Sequence, residues 1–214
     1  MNRAAWLNWP PARWALFLAL GLWGLGYIVW FAYLMQHSRD FIATRRMEVV
    51  CTQFRSGRIS ANSYRFNEAE ADRNMLASGW SRPEHWGVWS AEKNALLVLP
   101  TPFNVGAGGV RLDLELLVPA NQKKPLLPVR VFLSGQQIER WLLRNDTKEV
   151  VQQLAFSAEA LRGRSCVELG FRFERAYRPI KEHLGEDARL LGVGLVRATW
   201  VILPEPQMDA DRIP

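Results

Sequence analysis

A chain of 214 residues with a formal net charge of +6 is long enough for one domain with its own core plus an appendage. Four of the six surplus positive charges fall in residues 1–46, which hold five Arg against Asp40, so the remainder carries 22 Lys and Arg against 20 Asp and Glu. A nearly neutral body lacks the basic footprint of a nucleic-acid binder, and two Cys with three scattered His are too few for a metal centre, so no nucleic acid, metal or cofactor is expected.

Residues 1–13 read as a short tail with Trp6, Trp9 and Pro10-Pro11, lying at a membrane interface. From Trp14 to Met35 no residue is charged, and these 22 residues at helical rise span roughly the 30 Å of a bilayer's hydrocarbon layer. Trp14 stands at one end and Trp30 and Tyr33 at the other, as in interfacial aromatic belts. The run exceeds the about 7–15 apolar residues of a signal peptide, and Gln36-His37-Ser38-Arg39-Asp40 offers no small-x-small cleavage site, so an uncleaved anchor over 14–35 is predicted. Small residues inside it, Ala15, Ala19, Gly21, Gly24 and Gly26, suit close approach of a partner helix.

Residues 36–46 read as a juxtamembrane linker that prolongs the helix. Arg39, Arg45 and Arg46 on this side match Arg3 and Arg13 on the other, so the positive-inside rule does not favour moving the large domain across. The expectation is nevertheless an amino end inside and a domain outside the cytoplasm, in the cell membrane. Basic residues beside the bilayer would attract anionic headgroups at about 1 kcal/mol each.

From Met47 to Leu203 the texture changes to short alternating runs. Met47–Phe54 reads as a first strand and 57–66 as a turn with a second extended piece, while 67–73 is a polar loop or helical turn. Ala95–Leu99 is an apolar run of strand length. Val110-Arg111-Leu112-Asp113-Leu114-Glu115-Leu116 alternates strictly, which predicts an antiparallel strand with one wet face. Residues 129–133 and 136–143 flank Ser134-Gly135, a hairpin signal, and 149–156, 165–174 and 190–203 continue the series. The predicted fold class is all-β, a jelly-roll-like β-sandwich over 47–203 preceded by one transmembrane helix, with 204–214 as a tail.

The densest stretch is Gly79-Trp80-Ser81-Arg82-Pro83-Glu84-His85-Trp86-Gly87-Val88-Trp89-Ser90. Three indoles this close either pin a core or form an apolar platform. Together with the later Asp187-Ala188-Arg189-Leu190-Leu191-Gly192, this motif resembles the small jelly-roll accessory domains of bacterial cell-surface glycosyltransferases and polysaccharide-assembly proteins. The resemblance spans 47 to about 203 and implies a β-sandwich in an envelope glycan pathway, with a membrane glycosyltransferase or assembly complex as partner. It implies no reaction.

Several uses of the candidate residues are open. Trp80, Trp86, Trp89 and Trp141 could stack on pyranose rings, although the odd spacing of Trp86 and Trp89 would turn them to opposite faces of a continuous strand. Glu84 and Asp187 could be a glycosidase's pair of carboxylates. The favoured use is structural: an Arg189 ion pair with Glu84 or Asp187 clamps the two motifs together, so that Arg189→Ala leaves an orphaned, partly buried carboxylate at a cost of several kcal/mol. Cys51 and Cys166 fall in first and late elements that are often sheet neighbours in sandwiches, which makes a disulfide an option outside the cytoplasm. No Gly-x-Ser-x-Gly, phosphate loop or paired-His motif is present, and Asn145-Asp146-Thr147 matches the glycosylation triplet. The reading is a non-catalytic, membrane-anchored accessory subunit, with a glycan enzyme or a purely structural subunit as alternatives.

Overall fold

The computed structural model describes residues 11–56, 62–71, 73–103, 105–121, 123, 125–144 and 149–204, with the side chains of 11–14 and 35–44 outside that description. The tail 1–10, the glycosylation triplet and the tail from 205 also lie outside it. The chain divides into two units, Met1–Ile42 and Ala43–Pro214.

Helix α1 runs from Pro11 to Arg55. Its stretch Ala15–Leu34 has a mean hydropathy of 1.9 and none of it is buried by protein, so it is long and apolar enough to cross a membrane. In water such a surface would be exposed at a large free-energy cost, roughly 25 cal/mol for each Å².

The second unit begins inside the same helix, which corrects the expected strand at 47–54 and the expected linker end at 46. An alternating reading pairs Met47, Val49 and Cys51 on one face. In the structure Met47, Val50, Cys51 and Phe54 turn inward instead, at spacings of three and four, while Val49 is exposed. Phe54 stacks on Phe103 at 4.4 Å, and the Arg46 guanidinium donates to the Leu76 carbonyl.

Ten strands follow among the described residues: β1 (Ser63–Arg65), β2 (Leu76–Ser78), β3 (Val88–Trp89), β4 (Asn94–Pro100), β5 (Val110–Leu117), β6 (Leu126–Leu133), β7 (Gln136–Arg144), β8 (Glu149–Phe156), β9 (Cys166–Phe173) and β10 (Gly194–Ile202). They form two five-stranded antiparallel sheets. Sheet one has the order β1-β10-β5-β8 with β3 also on β10, and sheet two the order β2-β4-β9-β6-β7. Among these strands the chain changes sheet at every connection except that between β6 and β7, the alternation of a jelly-roll-like sandwich.

Period-two patterning sets the layers. Leu112, Leu114 and Leu116 of β5 face Val167, Leu169, Phe171 and Phe173 of β9 in the shared core, and each fully buried Leu or Phe contributes about 1.5–3 kcal/mol. Outside sheet one, Asp113 takes Arg111 at 2.7 Å and Glu115 takes Arg197 at 3.4 Å. The β6–β7 hairpin turns at Ser134 (φ 48°) and Gly135 (φ 85°), the two positive values a type I′ turn requires. Two one-turn helices, α2 (Ala158–Leu161) and α3 (Pro179–Glu182), sit in the connections around β9.

Cys51 on α1 and Cys166 at the start of β9 are disulfide-bonded, with Cα atoms 5.5 Å apart. The bond therefore joins helix to sheet and not strand to strand. It closes a loop with a sequence separation of 115. Replacing both cysteines by serine is expected to lower unfolding free energy by about 2–4 kcal/mol, measured by urea denaturation of the oxidised protein and the double variant.

Candidate functional site

The two sequence motifs meet at one end of sheet one. Asp187 and Arg189 lie between α3 and β10, in a segment held by reciprocal backbone bonds of Tyr177 and Leu191 and by the Tyr177 hydroxyl donating to the Ala120 carbonyl at 2.7 Å. Burial, with Glu182 nearby, pushes that phenol up to about 12. The Asp187 carboxylate accepts from the Arg189 backbone N–H at 2.8 Å and from Arg189 Nε and Nη2, the latter at 2.6 Å. Arg189 Nη1 then reaches Glu84 Oε1 at 2.9 Å, across 105 residues of sequence, and Trp86 Nε1 donates to Glu84 Oε2 at 3.0 Å.

One guanidinium thus bridges both carboxylates, and every one of their four oxygens accepts a hydrogen bond. Arg189 holds Asp187 below the ordinary carboxylate range, chiefly through the side-chain bonds, and is itself raised by them. The side chains of Arg189, Glu84 and Asp187 are 37%, 35% and 28% exposed, so water screens the network. That lowers the several kcal/mol expected for loss of the arginine to about 1–2 kcal/mol.

A second layer of contacts locks the same junction. Ser90 Oγ, fully buried, accepts the backbone N–H groups of Gly192 and Val193 at 3.0 and 2.9 Å. The Trp86 ring lies on Gly194, where a Cβ would come within 2.5 Å of its edge. The sequence reading did not single out Gly194, whose only signal is a glycine at the start of an apolar strand.

The four tryptophans do not make one platform. Trp141 is only 6% exposed and packs on Phe171 at 6.2 Å, because period two turns 141 and 143 inward and leaves Leu142 58% exposed. It is a core residue. Trp80 also meets Phe171, edge-on at 6.1 Å, and its indole N–H goes to the Leu96 carbonyl at 2.8 Å. Trp86 and Trp89 touch edge to face at 4.9 Å and are half-buried. The opposite-face argument fails for them because Trp86 lies on a bend before β3.

A groove on the outer face of sheet two escaped the sequence reading. Register sets Leu96 of β4 opposite Gly170 of β9, and Gly170 opposite Phe132 of β6. Gly170 leaves bare backbone between two apolar walls, in a groove of about 340 Å³ lined also by Asn94, Glu168 and Arg172. It continues past Gly135 and Glu168 into a larger cavity of about 560 Å³ beside the disulfide, lined by Glu48, Arg55 and Arg164. The available signal was a lone glycine inside an otherwise alternating strand, which marks close approach of something to the backbone.

No family model and no curated protein matches this chain. Among solved structures, it is similar to the xylan-binding module CBM15 (12% identity, TM-score 0.38, 69% of this chain and 95% of that one) and to CBM35 from Paenibacillus barcinonensis (10%, 0.33, 67% and 91%). It also overlays Xylanase10C from Cellvibrio japonicus (12%, 0.39, 68% of this chain). The chain spans only 28% of Xylanase10C and 16% of the glucuronidase BtGH115A. At these TM-scores the overlays carry no argument about a site, and the sandwich rests on the strand pairing itself.

Two variants test the junction by urea denaturation. Arg189→Ala is expected to lose about 1–2 kcal/mol at neutral pH. Because Asp187 is lowered in the fold, its contribution is whole above its unfolded value of about 3.9 and fades as pH falls through the folded one, so the wild-type advantage should vanish in acid. Gly194→Ala, which forces the Trp86 ring to move, is expected to lose about 1–3 kcal/mol at every pH.

Proposed function

We propose that the chain is a membrane-anchored, non-catalytic accessory subunit whose β-sandwich contacts a glycan during synthesis, modification or export of a cell-envelope polysaccharide. The observation that carries this reading is the groove over Gly170. It is an open trough on a rigid sheet, with the half-buried Phe132 ring on one wall and amide, carboxylate and guanidinium groups around it. That combination suits a pyranose, whose apolar face packs on an aromatic ring while polar groups bond its hydroxyls.

Anchoring is supported by the unburied apolar stretch Ala15–Leu34, and placement of the domain outside the cytoplasm by the Cys51–Cys166 disulfide. The motif resemblance supports a glycosyltransferase or assembly complex as the partner in the same membrane. Half-buried Trp86 and Trp89 offer that partner or the glycan a second contact.

Glycoside cleavage by Glu84 and Asp187 is the weaker reading. A general acid must hold a proton near neutral pH, which requires a raised pKa, whereas Arg189 lowers that of Asp187. A nucleophile or base needs an unencumbered oxygen, and here each of the four accepts a hydrogen bond that occupies one of its lone-pair sites. Glu84→Gln and Asp187→Asn are accordingly expected to lower the melting temperature without removing a turnover.

The glycan reading is tested with the full chain in detergent micelles on an array of bacterial envelope glycans. Phe132→Ala is expected to weaken binding about tenfold, the loss of one stacking face, with an unchanged melting temperature. Equal binding by wild type and Phe132→Ala, or binding to no glycan, would refute it.

A further inference from the structure

The groove carries two charged side chains without an ion pair among the described residues, Arg172 and Glu168. Across sheet two, register lines up Asn94 of β4, Arg172 of β9, Arg130 of β6 and Arg140 of β7. Three guanidinium groups in adjacent positions repel one another, and like charges opposite each other on an antiparallel sheet cost stability unless a counter-charge offsets them. Glu174 supplies it for two of them, accepting from Arg130 at 2.5 Å and Arg140 at 3.5 Å, and those arginines hold its carboxyl below the usual range. Arg172, exposed at the end of the groove, has no ion pair among the described residues.

We propose that the groove binds a carboxylate-bearing pyranose, a uronate unit of an acidic polysaccharide, with the Arg172 fork as its carboxylate receptor. This deepens the glycan reading above and rests on it. The planar guanidinium matches a planar carboxylate through two parallel N–H bonds. Phe132 provides the stacking face beside the bare backbone of Gly170, and Asn94, opposite Arg172 on β4, is placed to bond a neighbouring hydroxyl.

Glu168 fixes where the ligand's charge can lie. It stands four residues before Arg172 on the same strand and face, about 13 Å away along the chain, and its carboxylate has no hydrogen bond or ion pair among the described residues, while its backbone carbonyl accepts from the Ser134 N–H at 2.9 Å. Its carboxylate repels an anion and accepts from hydroxyls. A ligand with dense negative charge, such as a phosphate-linked chain, would meet that repulsion along the groove. A sugar acid that sets its carboxylate at Arg172 and its hydroxyls towards Glu168 would not.

The test uses the full chain in detergent micelles and oligosaccharides of glucuronate, galacturonate and mannuronate, each beside its carboxyl-reduced neutral counterpart. For one of these pairs, wild type is expected to bind the acid about tenfold more tightly than the neutral form. Arg172→Gln should remove that preference and leave neutral binding and the melting temperature unchanged. A preference that survives in Arg172→Gln, or equal wild-type binding of acid and neutral forms, overturns the uronate assignment. Phe132-dependent binding of neutral oligosaccharide would in that case still uphold the general glycan reading. Binding of neither form would sink both.

Discussion

The Arg189 guanidinium lies between Glu84 and Asp187 and ties the two motif segments together where β3 pairs with the start of β10. The two carboxylates belong to segments that the chain separates by more than half the domain, and they meet beside the start of β10, where Gly194 and Leu195 pair with Trp89 and Val88 of β3. Charge supplies direction where hydrophobic contact cannot, because two parallel N–H bonds fix an angle as well as a distance. Ser90 then converts the approximate alignment into a tight one by receiving two successive backbone N–H groups in a dry site. The same segment also steadies the neighbouring sheet, since Trp80 bonds the carbonyl of Leu96, a residue that walls the groove. Junction and groove are in this way mechanically linked without sharing a side chain.

The two sheets divide their labour. On sheet one the outward charges of β5 and β10 are paired, Arg111 with Asp113 and Arg197 with Glu115. On sheet two the charges do not balance, the central strand carries a glycine where a side chain should stand, and the end of α1 covers one flank through the disulfide. A binding surface built on β4, β9 and β6 is rigid, because each strand is hydrogen-bonded on both sides. Rigid strands hold a ligand-facing group in place better than loops do.

Much of the architecture could be read from the residues. Strict alternation in 110–116 and 166–173 placed the core faces, and Ser134-Gly135 placed the hairpin, because period two and turn chemistry are local properties. The Arg189 contacts to Glu84 and Asp187 followed from the scarcity of partners for a carboxylate among indoles. Residues 47–54 failed for an equally local reason: a short apolar run satisfies both periods, and continuity with the preceding helix decided the matter. The groove was out of reach because Leu96, Gly170, Phe132 and Arg172 come from three strands, and each looks ordinary alone. Trp141 misled because tryptophan content was weighed before strand parity.

Strand β7 is one border of sheet two, with β2 at the other. The exposed side chains of β7 are Gln136, Gln137, Ile138, Glu139, Arg140, Leu142 and Arg144, so charges and amides interrupt the apolar Ile138 and Leu142. Unpaired amide and carbonyl groups along such a border invite a second chain to add a strand, and charged side chains deter it. Under the proposed anchoring, copies would share one lipid plane where lateral crowding multiplies encounters, and that deterrent would keep neighbouring copies from zipping into a continuous ribbon and leave each outer face accessible.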